Sequence, residues 1–432
     1  MISRPRIGSL VAVCAGVLVS TPSALHADPA AYSLVEEGAK VIAEKCFYAH
    51  TVPQVLQGVL TALRAQAIDP GADPLPDLAT LSETEAWPIF KNHLERIASQ
   101  PGQRLNLTDL IEAGMRGFCP TIDDWTKYYT VADYARINRG GVSSTGTIGV
   151  NLREVGAGEV YMYPLPGSPA GFAGIAPGDR LLTVDGRKLD GKPIELVASW
   201  IKGTPGTQTT LRVERRNGRS ELIAVNREEL DSSPIQVAKE LAGLTIRIRF
   251  FTKDLAVQIE DALKDGSAAR GLTIDLRGCT GGSMIAAVES ADLFLPIGKR
   301  ILSLSERGQP VQHYDAEREP VVQPRSLSLL QDEGTASAAE IFIAALVENM
   351  PGQAASAGTS SYGKGVVQME QALAGGGKLN VTTGVLFGPG GKSWNSVGLL
   401  PSVSSAGQIY PDNAVSLANP VTKPKATIRL VE

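Results

Sequence analysis

The spacing of apolar positions changes twice along this chain. From Asp28 to about Tyr134 it is helical: Leu34, Ala39, Val41, Ile42 and Phe47 recur within Tyr32–His50, and Val55, Leu56, Val59, Leu60 and Leu63 continue the same period. The turn-rich run 69–76 interrupts it, after which Glu83–Ser99 and Asn106–Phe118 read as two more helices. After Gly140-Gly141 short β-rich runs take over: Ile148–Leu152, Val160–Tyr163, Arg180–Val184, Thr209–Val213 and Glu221–Val225. One helix, Pro193–Ile201, falls among them. From about Leu230 strands alternate with helices. Thr273–Leu276 leads through a Gly-rich loop to the helix Met284–Phe294, and Leu327–Leu330 leads through a second loop to the helix Ala338–Met350. Such alternation implies helices layered on a sheet. Both units end at a helix N-terminus, where free N–H groups can receive developing negative charge. The expected fold is a mixed, multidomain α+β protein: an N-terminal helical region, a β-module and an α/β core of strand–loop–helix units.

Composition narrows the class. The 432 residues are 43% hydrophobic and 20% charged, as in ordinary globular proteins. Lys and Arg (41) nearly balance Asp and Glu (45), so no nucleic-acid partner is expected. The one signal-like segment is at the start: Arg4 and Arg6, then the apolar run Leu10–Val19, then small and helix-breaking residues through Ala27. That is the design of a secretion signal cleaved after Ala27. Beyond Cys14, inside the signal, there are Cys46, Cys119 and Cys279. Export permits disulfides, which makes Cys46–Cys119 a candidate bridge, with two buried thiols as the alternative. Cys-x-x-Cys is absent, and His50, His93 and His313 lack ligand-like spacing, so no metal and no cofactor are expected.

Three segments can carry chemistry. In Asp332–Ile341, Ser337 lies among small residues directly before a very apolar helix, either a nucleophile or a simple cap. In Ser360–Gln368, Lys364 sits between two glycines within an apolar stretch. A lysine buried there loses its proton more easily and can act as general base to a serine, although an exposed turn lysine is the plainer reading. In Leu276–Gly282, a Gly-rich strand-to-helix turn can offer N–H groups to an oxyanion. A nucleotide loop does not fit, because Ser283-Met284 follow where a Lys and Ser/Thr are needed. Gly-x-Ser-x-Gly is absent, and Ser361-Tyr362-Gly363-Lys364 has glycines where a Ser-x-x-Lys helix would be required.

Together these segments resemble the C-terminal processing (tail-specific) peptidases, secreted Ser/Lys proteases with a PDZ domain. Gly334–Glu340 is similar to the family's nucleophile segment and Tyr362–Gln368 to its general-base segment. Gly271–Pro296 is similar to its oxyanion segment, Leu379–Pro401 to its closing strands, and Asp123–Tyr129 to the short motif ahead of the PDZ domain. Cys279-Thr280 departs from the usual Asn-Pro-like pair, and the interval from Ser337 to Lys364 is slightly long. Within the β-module, Ile148-Gly149-Val150 resembles a PDZ carboxylate-binding loop, and Gly167–Ala170, Ala173–Asp179 and Val184–Gly186 resemble the rest of that fold.

The resemblance covers about Ala113 to Val403, and with the pattern of the rest the expected organisation is a signal peptide at 1–27, a helical region at 28–140, a PDZ domain at 141–229, a peptidase core at 230–403 and a tail at 404–432. It implies a serine endopeptidase with Ser337 as nucleophile, Lys364 as base and Gln368 orienting the base. The amides of Ala338 and of Gly281 or Gly282 would hold the oxyanion, and Ile148, Gly149 and Val150 would hold a peptide terminus. Expected partners are polypeptides with exposed C-termini, cell-envelope proteins among them, with a helper lipoprotein and a homo-oligomer as further expectations. The expected compartment is the bacterial periplasm. The rival expectation is a catalytically silent PDZ scaffold that binds unfolded tails. Polar, turn-rich flanks at Asn138–Gly141 and Asn226–Pro234 would let the PDZ domain hinge over the site.

Overall fold

A computed structural model describes residues 29–404 apart from 70, 72–73, 136–145, 156–157, 166, 190–191, 230–232, 241–242, 265, 267, 269–270 and 375. The expected signal 1–27, the tail beyond 404, the flank 138–141 and part of the flank 226–234 therefore lie outside the described residues.

Four helices come first: α1 (Pro29–Lys45), α2 (Val52–Ala65), α3 (Glu83–Ala98) and α4 (Leu107–Ile122). Their starts are set by capping chemistry. Thr51 Oγ1 accepts from Gln54 N–H while Gln54 returns a bond to Thr51 N–H, and Asn106 and Asp109 do the same at α4. Leu56, Leu60, Leu63, Phe90, Leu94 and Ile111 are fully buried between them. Strand β1 (Lys127–Tyr129) then pairs antiparallel with the distant Lys378–Asn380, so Tyr128, Leu379 and Val381 complete the helical core. Cys46 and Cys119 are both buried free thiols, so the bridge considered from their spacing is not formed.

The β-module contains β2 (Gly146–Thr147), β3 (Val150–Val155), β4 (Glu159–Pro164), β5 (Asp179–Val184), β6 (Arg187–Lys188), helix α5 (Ile194–Ile201), β7 (Gln208–Glu214), β8 (Ser220–Asn226) and β9 (Glu228–Glu229). Its sheet runs β3-β4-β5-β7-β8, leaving β3 at an edge beside α5. β2 pairs with β9, which closes the module where the chain enters and leaves it.

The core begins with the hairpin β10 (Ile235–Glu240) and β11 (Gly243–Ile248) and continues through α6 (Leu255–Leu263), β12 (Leu272–Asp275), α7 (Met284–Asp292), β13 (Arg300–Glu306), β14 (Gln312–Asp315), β15 (Leu327–Gln331), α8 (Ala338–Asn349), β16 (Ala354–Gly358), β17 (Val366–Ala372), β18 (Lys378–Phe387) and β19 (Val403–Ser404). One sheet has the order β10-β11-β12-β15-β16-β19 and is parallel from β11 onward. A second, antiparallel sheet joins β1, β18, β13 and β14, with β17 beside β18. The strand alternation of the sequence did not disclose this second sheet. Helix α8 shares a core with both, since Leu329 and Ala354 from one and Ile301, Leu302 and Leu386 from the other belong to its cluster. That explains its sequence: every residue from Ala338 to Leu346 is buried, as a helix apolar all round must be.

Candidate active site

Three loops leave the C-terminal ends of the adjacent parallel strands β12, β15 and β16, the edge where open α/β sheets place their sites. They carry Gly278–Ser283, Asp332–Ser337 and Thr359–Gly365. The three chemistry-bearing segments of the sequence fall on these same loops.

Ser337 is the cap position of α8, with φ 58° and ψ −117°, a conformation costly for any residue with a Cβ. Its side chain makes no cap hydrogen bond. The N–H that a cap would take, that of Glu340, goes to the Ser337 carbonyl at 2.8 Å. Ala338 opens the helix, so its own N–H has no intrahelical acceptor. The turn is stitched to its neighbours by Ala336 N–H to Cys279 O at 2.9 Å and by Thr335 Oγ1 to Leu276 O at 2.9 Å.

Gly281 faces this turn with φ 99°, and a Cβ there would lie 2.8 Å from Ser337 Cβ and 2.9 Å from Ala338 N. Only glycine leaves the hollow between those two groups open, and it is the hollow an oxyanion would need. The loop is held from below by Phe251 N–H to Gly281 O at 2.8 Å and Ser283 N–H to Phe251 O at 2.9 Å. Burial pushes the Cys279 thiol up to about 12, opposed by a hydrogen bond from Gly281 N–H. Gly282 itself rests against the Phe251 backbone.

Lys364 is held below the ordinary lysine range, first by burial and then by the neighbouring Lys127 charge, against the opposing pull of Glu195 and Glu340. Its ammonium nitrogen lies 5.7 Å from the Trp125 ring centroid. Gln368 stands beside it on the same cavity wall, with Nε2 donating to the Trp125 carbonyl at 2.8 Å. Ser361, the serine of the discarded Ser-x-x-Lys pattern, is buried and donates to Glu340 Oε1 at 2.5 Å.

A cavity of about 590 Å³ lies between Lys364 and Gln368 and the β-module; its lining reaches Thr280 and Ala336, the neighbours of Gly281 and Ser337, but not Ser337, Ala338, Gly281 or Gly282 themselves. Val150, Asn151, Leu152 and Arg153 of β3 and Ile194, Glu195 and Ala198 of α5 form one wall, while Trp125, Thr280, Ala336 and Lys364 form the other. Val150 of the expected carboxylate loop is on that wall; Ile148 is buried in the module's core and Gly149 follows it with φ 69°. Side chains of β3 also touch the loops directly. Asn151 Nδ2 donates to Gly278 O at 2.8 Å, and Arg153 donates to Tyr362 O at 3.1 Å while lying over its ring. Lys127 pairs with Glu154 at 2.7 Å. Asn151, Arg153 and Glu340 escaped sequence reading. For Glu340 a signal existed: an acid three residues past a helix cap, set in the otherwise apolar run Ala338–Val347. Among the described residues no group of acidic, His and Cys side chains could hold a metal ion, and no helix is long and apolar enough to cross a membrane.

Comparison with known proteins agrees with this layout. Residues 244–405 match the model of peptidase family S41, and residues 160–215 match a PDZ domain model. A "Probable CtpA-like serine protease" of Staphylococcus aureus (strain MRSA252) is 28% identical over 309 residues, 70% of this chain and 61% of the relative. The "Carboxy-terminal processing protease CtpA" of Bacillus subtilis (strain 168) is 29% identical over 326 residues, covering 72% of this chain and 67% of that protein. The first of these relatives is thus matched over less than two thirds of its length. The solved structure of a photosystem II D1 C-terminal processing protease has the same fold, with TM-score 0.66 at 19% identity over 88% of this chain and 93% of its own.

Proposed function

On the premise that the chain belongs to the C-terminal processing peptidases, family S41 with a PDZ domain, we propose that it is an exported serine endopeptidase cleaving polypeptides by a Ser337–Lys364 mechanism. Ser337 Oγ attacks the peptide carbonyl as the neutral amine of Lys364 takes its proton. The amides of Ala338 and of Gly281 or Gly282 stabilise the tetrahedral oxyanion. Lys364 then returns the proton to the leaving amine, and water repeats the sequence on the acyl-enzyme. Gln368 supports Lys364. The loop Ile148-Gly149-Val150 and the edge strand β3 take the substrate's tail as an added strand, which would bring exported proteins with exposed C-termini to the site. The periplasm is the compartment this reading assigns.

One observation carries the proposal above the rest. A half-buried lysine whose proton is loosened and a serine in a strained cap conformation are joined through one carboxylate oxygen, Glu340 Oε2, which lies 2.8 Å from the amide nitrogen of each. A mere tail-binding scaffold has no use for that arrangement. Incubating the mature protein with an unstructured peptide tests it: wild type should cleave and Ser337→Ala should not. Equal cleavage by both would sink the assignment, and cleavage by neither would favour the scaffold.

A further inference from the structure

Glu340 is a fully buried acid on a helix where every neighbouring position is apolar. Leaving a carboxyl there without cause would be costly. Its two oxygens receive four donors. Oε1 accepts from Ser361 Oγ at 2.5 Å and from Gly363 N–H at 2.7 Å; Oε2 accepts from Ser337 N–H and from Lys364 N–H, both at 2.8 Å. Ser361 Oγ itself accepts from Leu399 N–H at 2.7 Å, which directs its proton to Glu340. Two donors on each oxygen, three of them backbone amides that cannot turn away, suit an acceptor-only carboxylate. The short bond to Ser361 is in the range of a hydroxyl on an ionised acid. Among the described residues no ion pair is formed by Glu340 itself.

We propose that Glu340 is the positioning residue of the dyad, its ionised carboxylate fixing the nucleophile turn and the base turn against each other. This rests on the reading of Ser337 and Lys364 as nucleophile and base. An ordinary capping box would bind Ser337 alone. Here the same oxygen that closes the helix end also holds the backbone of Lys364, 27 residues on in sequence and on a different strand's loop. Ser337 Oγ is thereby left free for chemistry, because the carboxylate and the Ser337 carbonyl do the capping. The charge has a second effect. The groups facing Lys364 are Lys127 from β1, Glu195 from α5 and Glu340 from α8, and the two acids favour its protonated form. Burial sets the Glu340 carboxyl above the ordinary glutamate range, while the bonds from Ser361, Gly363, Ser337 and Lys364 pull it down; the ionised form is argued from those four donors.

The test compares wild type, Ser337→Ala, Glu340→Gln and Ser361→Ala as full mature chains on a fluorogenic unstructured peptide, with kcat, KM and the pH profile of kcat measured for each. Glutamine offers two hydrogens where donors already point, so the two turns lose register. Expected for Glu340→Gln is a loss of about 100-fold in kcat with KM little changed, as for a small misplacement of reacting groups. Its acid limb should move to lower pH, because Lys364 loses a neighbouring negative charge. Loss of general stability would not produce that shift. Ser361→Ala keeps the charge and should lower kcat severalfold with the limb unmoved; it carries the test should Glu340→Gln fail to fold, and an undiminished kcat there overturns the proposal. A Glu340→Gln enzyme within about threefold of wild type in kcat, or one whose limb stays in place, also overturns it. Wild type no faster than Ser337→Ala defeats the nucleophile reading and this proposal with it.

Discussion

Ser283 and Ser337 occupy corresponding places: each follows a loop from a parallel strand, β12 or β15, and each precedes a helix, α7 or α8. Ser283 has φ −69° and ψ 125°, and its Oγ accepts from Ala286 N–H at 3.2 Å. It is a cap of the usual kind. Ser337 has inverted φ, its hydroxyl is not engaged in the cap, and a carboxylate three residues on does the capping. What separates the capping serine from the one proposed as nucleophile is therefore the relief of its hydroxyl from helix duty. The strained backbone is tolerated because Glu340, Cys279 O and Leu276 O hold the turn from three sides.

The sharpest way to break this contrast is to delete both hydroxyls in turn. Ser337→Ala should cost about 10³-fold or more in peptide cleavage with the fold intact, while Ser283→Ala should cost about 1 kcal/mol in urea unfolding and only severalfold in cleavage. Comparable losses in cleavage would erase the distinction. Lys364→Arg comes next, with a loss of about 10²–10⁴-fold in kcat, since arginine stays charged. For wild type the sign follows from the lowered lysine: as pH falls through its folded pKa the amine is protonated and cleavage stops, so kcat should rise with pH along a limb below the ordinary lysine range. An active Arg variant would remove the base role. Gly281→Ala, which fills the hollow beside Ala338 N, should lower kcat by about 10²–10³-fold while a tail peptide binds the PDZ domain unchanged by calorimetry. The smallest effect is expected at Asn151→Ala, which frees Gly278 O of one hydrogen bond and should change kcat/KM by about fivefold. No change there would mean that β3 binds tails without steadying the oxyanion loop.

Local pattern sufficed for much of this. Capping signals at Asn106 and the apolar run after Ser337 located helices within a few residues, and glycine spacing located the loops. Partners far apart in sequence were a different matter. Gln368 meets Trp125 O across 243 positions, Asn151 meets Gly278 across 127, and β1 pairs with β18 from the other end of the chain. No periodicity encodes such pairs. The hairpin of β13 and β14 was hidden for another reason. β13 is central in its sheet, with Ile301, Leu302, Ser303 and Leu304 all buried, so it lacks the in–out alternation that marks a strand with one wet face. Gln368 was expected to orient Lys364; the bond from its Nε2 to the Trp125 carbonyl is visible only once the segment leading into β1 is seen beside the site.

The burial of α8 between two sheets has a consequence for how such a chain is made. One sheet draws its strands from 235–404 and the other from 127–387, so the core around the helix bearing Ser337 is completed only when Leu386 and Trp394 join it from late in the chain. Contacts of that sequence separation form late and together. On the proposed mechanism, a chain that ends short of Trp394 lacks the finished packing behind the Ser337 turn and should cleave poorly.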